Sequence, residues 1–317
     1  MMEKKYKLTE ETIAINGKPL YRIEALRDFN DVKKGDKGGF IENERNLFQC
    51  DDCWVYDDAM VYDDAMVYDD AAVYHNARVY GNAMVYGDAM VYGDASVFGA
   101  SVSDNAEVYG NAKVYGNAEV NGTAIVCGNA EVYANAKVRD NVKVYGDAVV
   151  CGYAIISGNA IISGNAEVYA NAEVYGIAQI FGNAIVYGDA RVYGNAKIYG
   201  NAEIGDNAIV YGNAEICGDA RVYDDVKVRD NAVVFGNAEI CGDAIITSKS
   251  DYILFKNWWS SGRHFTWTRS NNMWKVGCFY GTGKELIEKA YKDSEMSGEE
   301  YERVVKYVEA ILKANKL

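Results

Sequence analysis

The 317-residue sequence has one proline, Pro19, and two histidines, His75 and His264. No apolar run approaches the roughly 18 residues that a membrane-crossing helix needs. The opening MMEKKYKLTEE lacks the apolar core of a secretory leader, so a cytoplasmic protein is expected. The scarcity of proline is not a sign of disorder, because 26 tyrosines and 50% hydrophobic residues are enough to build a core. Two histidines leave little material for acid–base chemistry. A length of 317 residues suggests about two domains, while 31 glycines beside 26 tyrosines direct attention to repeats.

The net charge of −14 is unevenly spread. Residues 1–48 hold 10 Lys/Arg and 9 Asp/Glu, and residues 249–317 hold 12 and 9. The middle therefore carries 10 basic and 28 acidic residues, a net of −18. A segment that acidic repels phosphate backbones, so no direct nucleic-acid binding is expected, and basic protein surfaces are its natural partners.

The middle is a hexapeptide repeat: Val or Ile, usually Tyr, Gly-Asn or Gly-Asp, Ala, and one variable residue. The aliphatic slot recurs every six residues from Val55 to Val97, is reached in five steps at Val102, and then runs without error to Ile246. Positions two apart on a strand share a face, so each Ala points the same way as the aliphatic residue after it, as Ala118 does with Val120. Apolar pairs repeated this often must face inward, leaving the variable residue and the Tyr slot outside. Gly-Asn and Gly-Asp supply bends, since these residues tolerate positive φ. Six residues make one side, three sides make a triangular coil of 18, and 33 repeats make 11 coils. A strict period of six is incompatible with a pentapeptide helix, and propeller blades of about 40 residues are absent.

Text such as VYGNAEVYGDA resembles the hexapeptide repeat of left-handed β-helix proteins, whose best-known members are acyltransferases. The stretch PLYRIEALRDFNDVKKGDKGGFIENERNL, followed by CWVYDDAMVYDDA, is similar to the YdcK-type group of hexapeptide transferases and to related bacterial, prophage and phage repeat proteins. The likeness covers about residues 4–247. With the repeat geometry it points to a mainly β protein with a left-handed parallel β-helix over 49–247; the non-repeating ends read as an N-terminal cap over 1–48 and a small α+β domain over 248–317. It also implies, as one functional option, an acyltransferase acting as a trimer on an acyl-CoA donor, with His264 or His75 as the base.

At the N-terminus, YKLTEETIAING and LYRIEALRDF read as two strands with a turn at Asn16-Gly17, and GDKGGFIE as the entry to the first coil. Beyond residue 247, YILFKNWW, HFTWT and MWKVGCFYG read as aromatic strands, with a turn at Ser270-Asn271-Asn272. Two helices follow, with capping boxes expected at Thr282/Glu285 and Ser297/Glu300. The second places Tyr301, Val304, Val305, Val308, Ile311 and Leu312 on one face, which must cover either the sheet or the last coil.

The candidate chemistry is sparse. His75 replaces a corner glycine and is expected to be exposed, and no inserted loop interrupts the coils after Val102 to wall a pocket. Counting back, residue 49 takes the aliphatic slot, which turns Cys50 outward and Cys53 inward, so Cys50-Asp-Asp-Cys53 is not a metal or redox pair. Cys127, Cys151, Cys217 and Cys241 stand in the outward Tyr slot as free thiols. Asp51-Asp52 and Asp69-Asp70 share a corner column with room for a calcium site, but turn propensity favours solvated turn carboxylates. No metal or cofactor is expected. The outward Tyr ladder is a stacking device or a contact face. The region that the repeat does not explain holds Trp258, Trp259, Arg263, His264, Trp267, Arg269 and Trp274, the expected partner-binding set. The leading expectation is thus a non-enzymatic interaction or scaffold protein, a homo-oligomer through its C-terminal domain or a helix face. A phage-type inhibitor of a basic nucleic-acid-binding host protein fits its charge.

Overall fold

The structure is a computed structural model that describes residues 4–259 and 261–314. The outermost parts of the two terminal segments, residues 1–3 and 315–317, lie outside the described residues. The chain falls into two compact units, Met1–Gly188 and Asp189–Leu317.

The first unit opens with a hairpin of Tyr6–Ile15 and Lys18–Ala25, paired antiparallel. Asn16 and Gly17 take φ of 50° and 79°, the left-handed pair that a two-residue turn between twisted strands demands. The strand Lys37–Ile41 pairs antiparallel with the hairpin and parallel with Met60–Val61, so it converts the cap into the coil. Coiling therefore begins ahead of residue 49. Leu47 bridges Val67 and is fully buried, so Leu47, and not residue 49, fills the aliphatic slot. The physical reason is a longer passage: 20 residues separate Leu47 from its partner, against 18 in later coils. Cys53 still turns inward and Cys50 outward.

From there each side is a strand of two or three residues, joined in register to the strand one coil later, as Lys113–Val114 is to Glu131–Val132 and then Val149–Val150. The alternation expected from the repeat is realised: Ala118, Val120, Ala166 and Val168 are all fully buried. At the five-residue step the partner spacing falls to 17, with Ser96 opposite Lys113. The first unit stacks eight, eight and seven such rungs on three parallel sheets, and the second adds ten more between Arg191 and Ile246. With the entry strand and Leu47 the coils come to about twelve turns.

The corners follow one rule. The first residue of each bend adopts positive φ, whether it is Gly128 (72°), Asp140 (62°) or Ala134 (62°). Its carbonyl accepts the N–H of the second bend residue one coil earlier, as Gly128 O does from Asn111 N at 2.8 Å. The second residue forms a side-chain ladder: Asn111 Nδ2 donates to Asn129 Oδ1 at 3.0 Å, and Asn129 Nδ2 donates to Asp147 Oδ1 at 2.8 Å.

After its coils the second unit forms a four-stranded antiparallel sheet, Tyr252–Lys256, His264–Thr268, Met273–Val276 and Phe279–Gly281. A turn at Gly277-Cys278 splits the third expected strand in two. Helices α1 (Gly283–Asp293) and α2 (Glu295–Ala314) follow. Thr282 and Glu285 close a capping box on α1. The second expected box is not at Ser297, which lies inside α2. Extended Ser294 ends α1, and its Oγ accepts the Ser297 N–H at 3.1 Å, so one serine serves both helix ends.

Strand alternation gives the middle strand two jobs. Phe265 and Trp267 face the helices and form a core with Trp274, Leu286, Tyr301 and Val305. The stripe on α2 thus covers the sheet. Thr266 faces the coil and accepts the Glu239 N–H at 3.0 Å, while Ser270 Oγ takes the Ile245 N–H at 2.7 Å and the Tyr252 hydroxyl takes the Phe235 N–H at 3.2 Å. In other coils these donors would meet a carbonyl of the next coil. Here side chains replace it, which is how a solenoid end avoids unpaired backbone. Among the described residues no helix is long and apolar enough to cross a membrane.

Candidate interaction surfaces

The two histidines lie in different units. His75 takes the corner slot with φ of 58°; its Nδ1 accepts the Gly93 N–H at 3.4 Å and its Nε2 lies 4.0 Å from Asp57. The ring is exposed on the bend and continues the corner hydrogen bonding. His264 opens its strand half-buried, opposite Lys256.

The bend carboxylates serve the backbone. Asp57, Asp63, Asp69 and Asp140 each accept the N–H of the corresponding bend residue one coil later, at 3.0, 3.2, 3.2 and 2.8 Å. Such a bond offsets part of the cost of placing a side chain at positive φ, and explains why aspartate substitutes for glycine there. Lys18 also pairs with Asp63 at 2.6 Å and holds its carboxyl below the usual range. Among the described residues no group of His, Cys, Asp and Glu is placed to hold a metal ion.

The outward Tyr slot forms stacks. Tyr56 and Tyr74 lie 4.4 Å apart, Tyr68 and Tyr86 4.9 Å, and Tyr115 and Tyr133 4.7 Å, with nearly parallel rings. Burial and the neighbouring Glu131 push the Tyr115 phenol up to about 12. The variable slot beside it carries the expected charge ladder, with Lys113 2.9 Å from Glu131. The cysteines of this slot are free. Cys241 also occupies it yet is buried, because the C-terminal sheet covers the last coil there, and burial pushes its thiol up to about 11.

The first turns differ from the rest. The variable slot holds Met60, Met66, Met84 and Met90, and no methionine after that until the C-terminal sheet. On one side Met66 and Met84 are paired rungs beside the ring column Phe48, Tyr68 and Tyr86. Exposed Asp64, Asp70 and Asp88 border this apolar strip. From Asp51 to Asp94 there are ten carboxylates and one cation, Arg78.

The expected C-terminal set is divided by the structure. Trp267 and Trp274 are buried in the small domain's core, with the Trp267 indole N–H donating to Asn272 Oδ1 at 2.9 Å. They therefore contribute packing and no contact surface. Trp258 and Trp259 are 76% and 72% exposed at the tip of the first hairpin, with exposed Arg263 nearby in that tip. Arg269 is exposed at the turn on the far end of the next strand.

Two buried polar residues were not anticipated. Lys5 is fully buried, and its ammonium donates to the carbonyls of Asp51 at 2.5 Å and Cys53 at 2.8 Å and lies 3.4 Å from Cys53 Sγ. Burial pushes the Lys5 amine down and the Cys53 thiol up to about 11. Asn46 donates to the carbonyls of Asp63 and Ala65, both at 2.9 Å. Both satisfy backbone acceptors at the first coil.

A family model described as the YdcK beta solenoid repeat matches residues 77–93 and 178–194. A search of curated proteins finds no match. Both matched segments lie within the six-residue repeat of the sequence, and the repeat on either side of each has the same slots. The chain is a repeat β-solenoid protein related to YdcK.

Proposed function

We propose that the protein is a non-enzymatic binding protein whose acidic first turns engage a basic protein surface, of the kind that otherwise holds nucleic acid. The observation that carries this reading is the run from Asp51 to Asp94, which holds ten carboxylates and one cation; Arg22 and Lys18 of the cap pair with Asp58 and Asp63, while Asp64, Asp70, Asp88 and Asp94 stand exposed on the bends. A potential of one sign over several turns steers and orients an oppositely charged partner more than it adds affinity. The Met66/Met84 strip supplies adaptable apolar area inside that field. A phage-type inhibitor of a nucleic-acid-binding host protein would work this way. Seven thiols free of disulfides fit a reducing, cytoplasmic setting.

The test is binding to a purified basic DNA-binding protein, with duplex DNA as competitor and salt as the variable. The reading expects a complex that DNA displaces, that weakens steeply with salt, and that Asp64→Asn/Asp70→Asn/Asp88→Asn weakens at least tenfold. Salt-independent binding, or an unchanged affinity in that variant, overturns it. Turnover of an acyl-CoA donor that is lost in His264→Ala or His75→Ala favours the acyltransferase reading instead.

A further inference from the structure

The C-terminal hairpin presents a second unusual surface, opposite in character to the first turns. Its strands and tip, residues 249–281, carry five cations and one carboxylate. The described residues of the tip are hydrogen-bonded to one another and to α2. The Asn257 N–H donates to the Arg263 carbonyl at 2.8 Å, and Asn257 Oδ1 accepts the Trp259 N–H at 3.0 Å. From α2, the Tyr301 hydroxyl donates to Ser261 Oγ at 3.1 Å. Lys256 Nζ lies 5.6 Å from the Trp258 ring. Two exposed indoles, flanked by Lys256 and Arg263 on a braced turn, form a preorganised basic, aromatic plug.

The first turns offer the matching socket. Met66 and Met84 lie beside the Phe48, Tyr68 and Tyr86 rings, with Phe48 41% and Met84 37% exposed. Asp64 borders one edge of this strip, and Asp70 and Asp88 the other. Sulfur–aromatic contact suits indoles, and the flanking carboxylates suit the lysine and arginine of the tip. Both surfaces expose large apolar side chains that a solitary chain would leave in water.

We propose that the Trp258-Trp259 tip of one copy docks on the Met66/Met84 face of a second copy, a heterologous contact between two different surfaces of the same chain. The inference rests on the reading that the acidic turns are an interaction surface, and names a second copy as one occupant. Because plug and socket are distinct, each is removed separately without touching the other. The decisive experiment uses two full-length variants, Trp258→Ser/Trp259→Ser and Asp64→Lys/Asp70→Lys, in sedimentation velocity. Circular dichroism first checks that both keep the wild-type fold.

Wild type self-associates with rising concentration, and less so with rising salt. Each variant alone is monomeric, weakened by about a hundredfold or more as expected for loss of central anchors. An equimolar mixture of the two forms a one-to-one dimer, because one variant retains the socket and the other the plug. Absence of that dimer, or a wild type monomeric across the micromolar range, overturns the proposal. So does tip-dependent binding to vesicles of anionic phospholipid by a monomeric wild type, which assigns the indoles to a membrane surface. If the mixture fails while the tip variant still binds the basic DNA-binding protein, the docking inference falls and the proposed function stands. If the socket variant binds that protein like wild type, the proposed function falls.

Discussion

The bend at Gly122 allows the stacking of coils to be weighed directly. Gly122 sits at φ of 72°, and a Cβ there would lie 2.7 Å from Asp140 N and 2.8 Å from Asp140 Cα and O. Those are backbone atoms of the next coil, so the coils must shift there to admit a methyl group. Gly17, in the cap hairpin, has a φ of 79° and nothing within 4 Å of the same point. Gly17→Ala therefore incurs only the left-handed penalty of an L-residue, about 1 kcal/mol after allowance for a stiffer unfolded chain. Gly122→Ala adds the displacement of Asp140. That strains the Thr123 N–H bond to Asp140 O at 2.8 Å and the Gly122 N–H bond to Asp104 Oδ2 at 2.9 Å. At about 1 kcal/mol each, the total is about 3 kcal/mol. A solenoid responds through nearest neighbours, so amide hydrogen exchange is the assay. Protection in Gly122→Ala falls at residues 104–140 by roughly a hundredfold, as about 3 kcal/mol demands, while Gly17→Ala disturbs only the hairpin. Equal losses at the two glycines, or a Gly122→Ala protein as protected as wild type, refute the stacked-bend geometry.

Three further outcomes follow from the packing. Val168→Ala removes a fully buried side chain between rungs and costs about 2–3 kcal/mol in chemical denaturation, whereas Ile185→Ala, outward and partly exposed on the same sheet, costs less than half of that. Lys5→Met leaves the Asp51 and Cys53 carbonyls without their buried donor and costs about 2–4 kcal/mol, read as lost protection in the first coil; Lys4→Met, which breaks only an exposed pair with Glu44, changes stability by less than about 0.5 kcal/mol. Cys53 and Cys241, both pushed up to about 11 by burial, stay protonated in the folded chain while unfolded thiols ionise. The stability they contribute is complete below pH 9 and is lost as pH rises to about 11. The Tyr109 and Tyr115 phenols, held up to about 12, extend the loss from pH 10 to about 12. Melting temperature therefore declines from near pH 9 upward, and a flat profile to pH 11 contradicts these burials.

The coils were legible because two periods coincide. Alternation fixes which way Ala118 and Val120 face, and the six-residue spacing fixes where the chain bends. Asn16-Gly17 and Thr282/Glu285 were equally plain, since each forms from adjacent residues. The start of the coil was not legible. Leu47 lies two residues off the period because the passage to Cys53 is longer, and no repeated pattern marks it. Lys5 sits in a charged stretch that reads as solvated, although the first coil's carbonyls capture its ammonium. Ser294 was overshadowed by Ser297, because a helix that starts immediately after another leaves no loop to announce its cap. Composition alone does not separate the C-terminal tryptophans, but the fold places Trp267 and Trp274 between sheet and helices and leaves Trp258 and Trp259 on a turn. The Met66/Met84 face has a plain signal in the sequence: methionine fills the variable slot only in the first turns.

The central claim is that residues 18 apart are vertical neighbours on one outward face of a three-sided coil. Paired cysteines at positions 113 and 131, in a background lacking the native thiols, test it directly. These two residues are opposite each other in register, and their native side chains meet at 2.9 Å. Adjacent strands stand about 4.8 Å apart, within the range of a disulfide. Lys113→Cys/Glu131→Cys oxidises to an intramolecular disulfide under mild oxidant, while Lys113→Cys/Glu119→Cys, six residues apart and on a different side, does not. Bridging of 113 with 119, and not with 131, would contradict the coil.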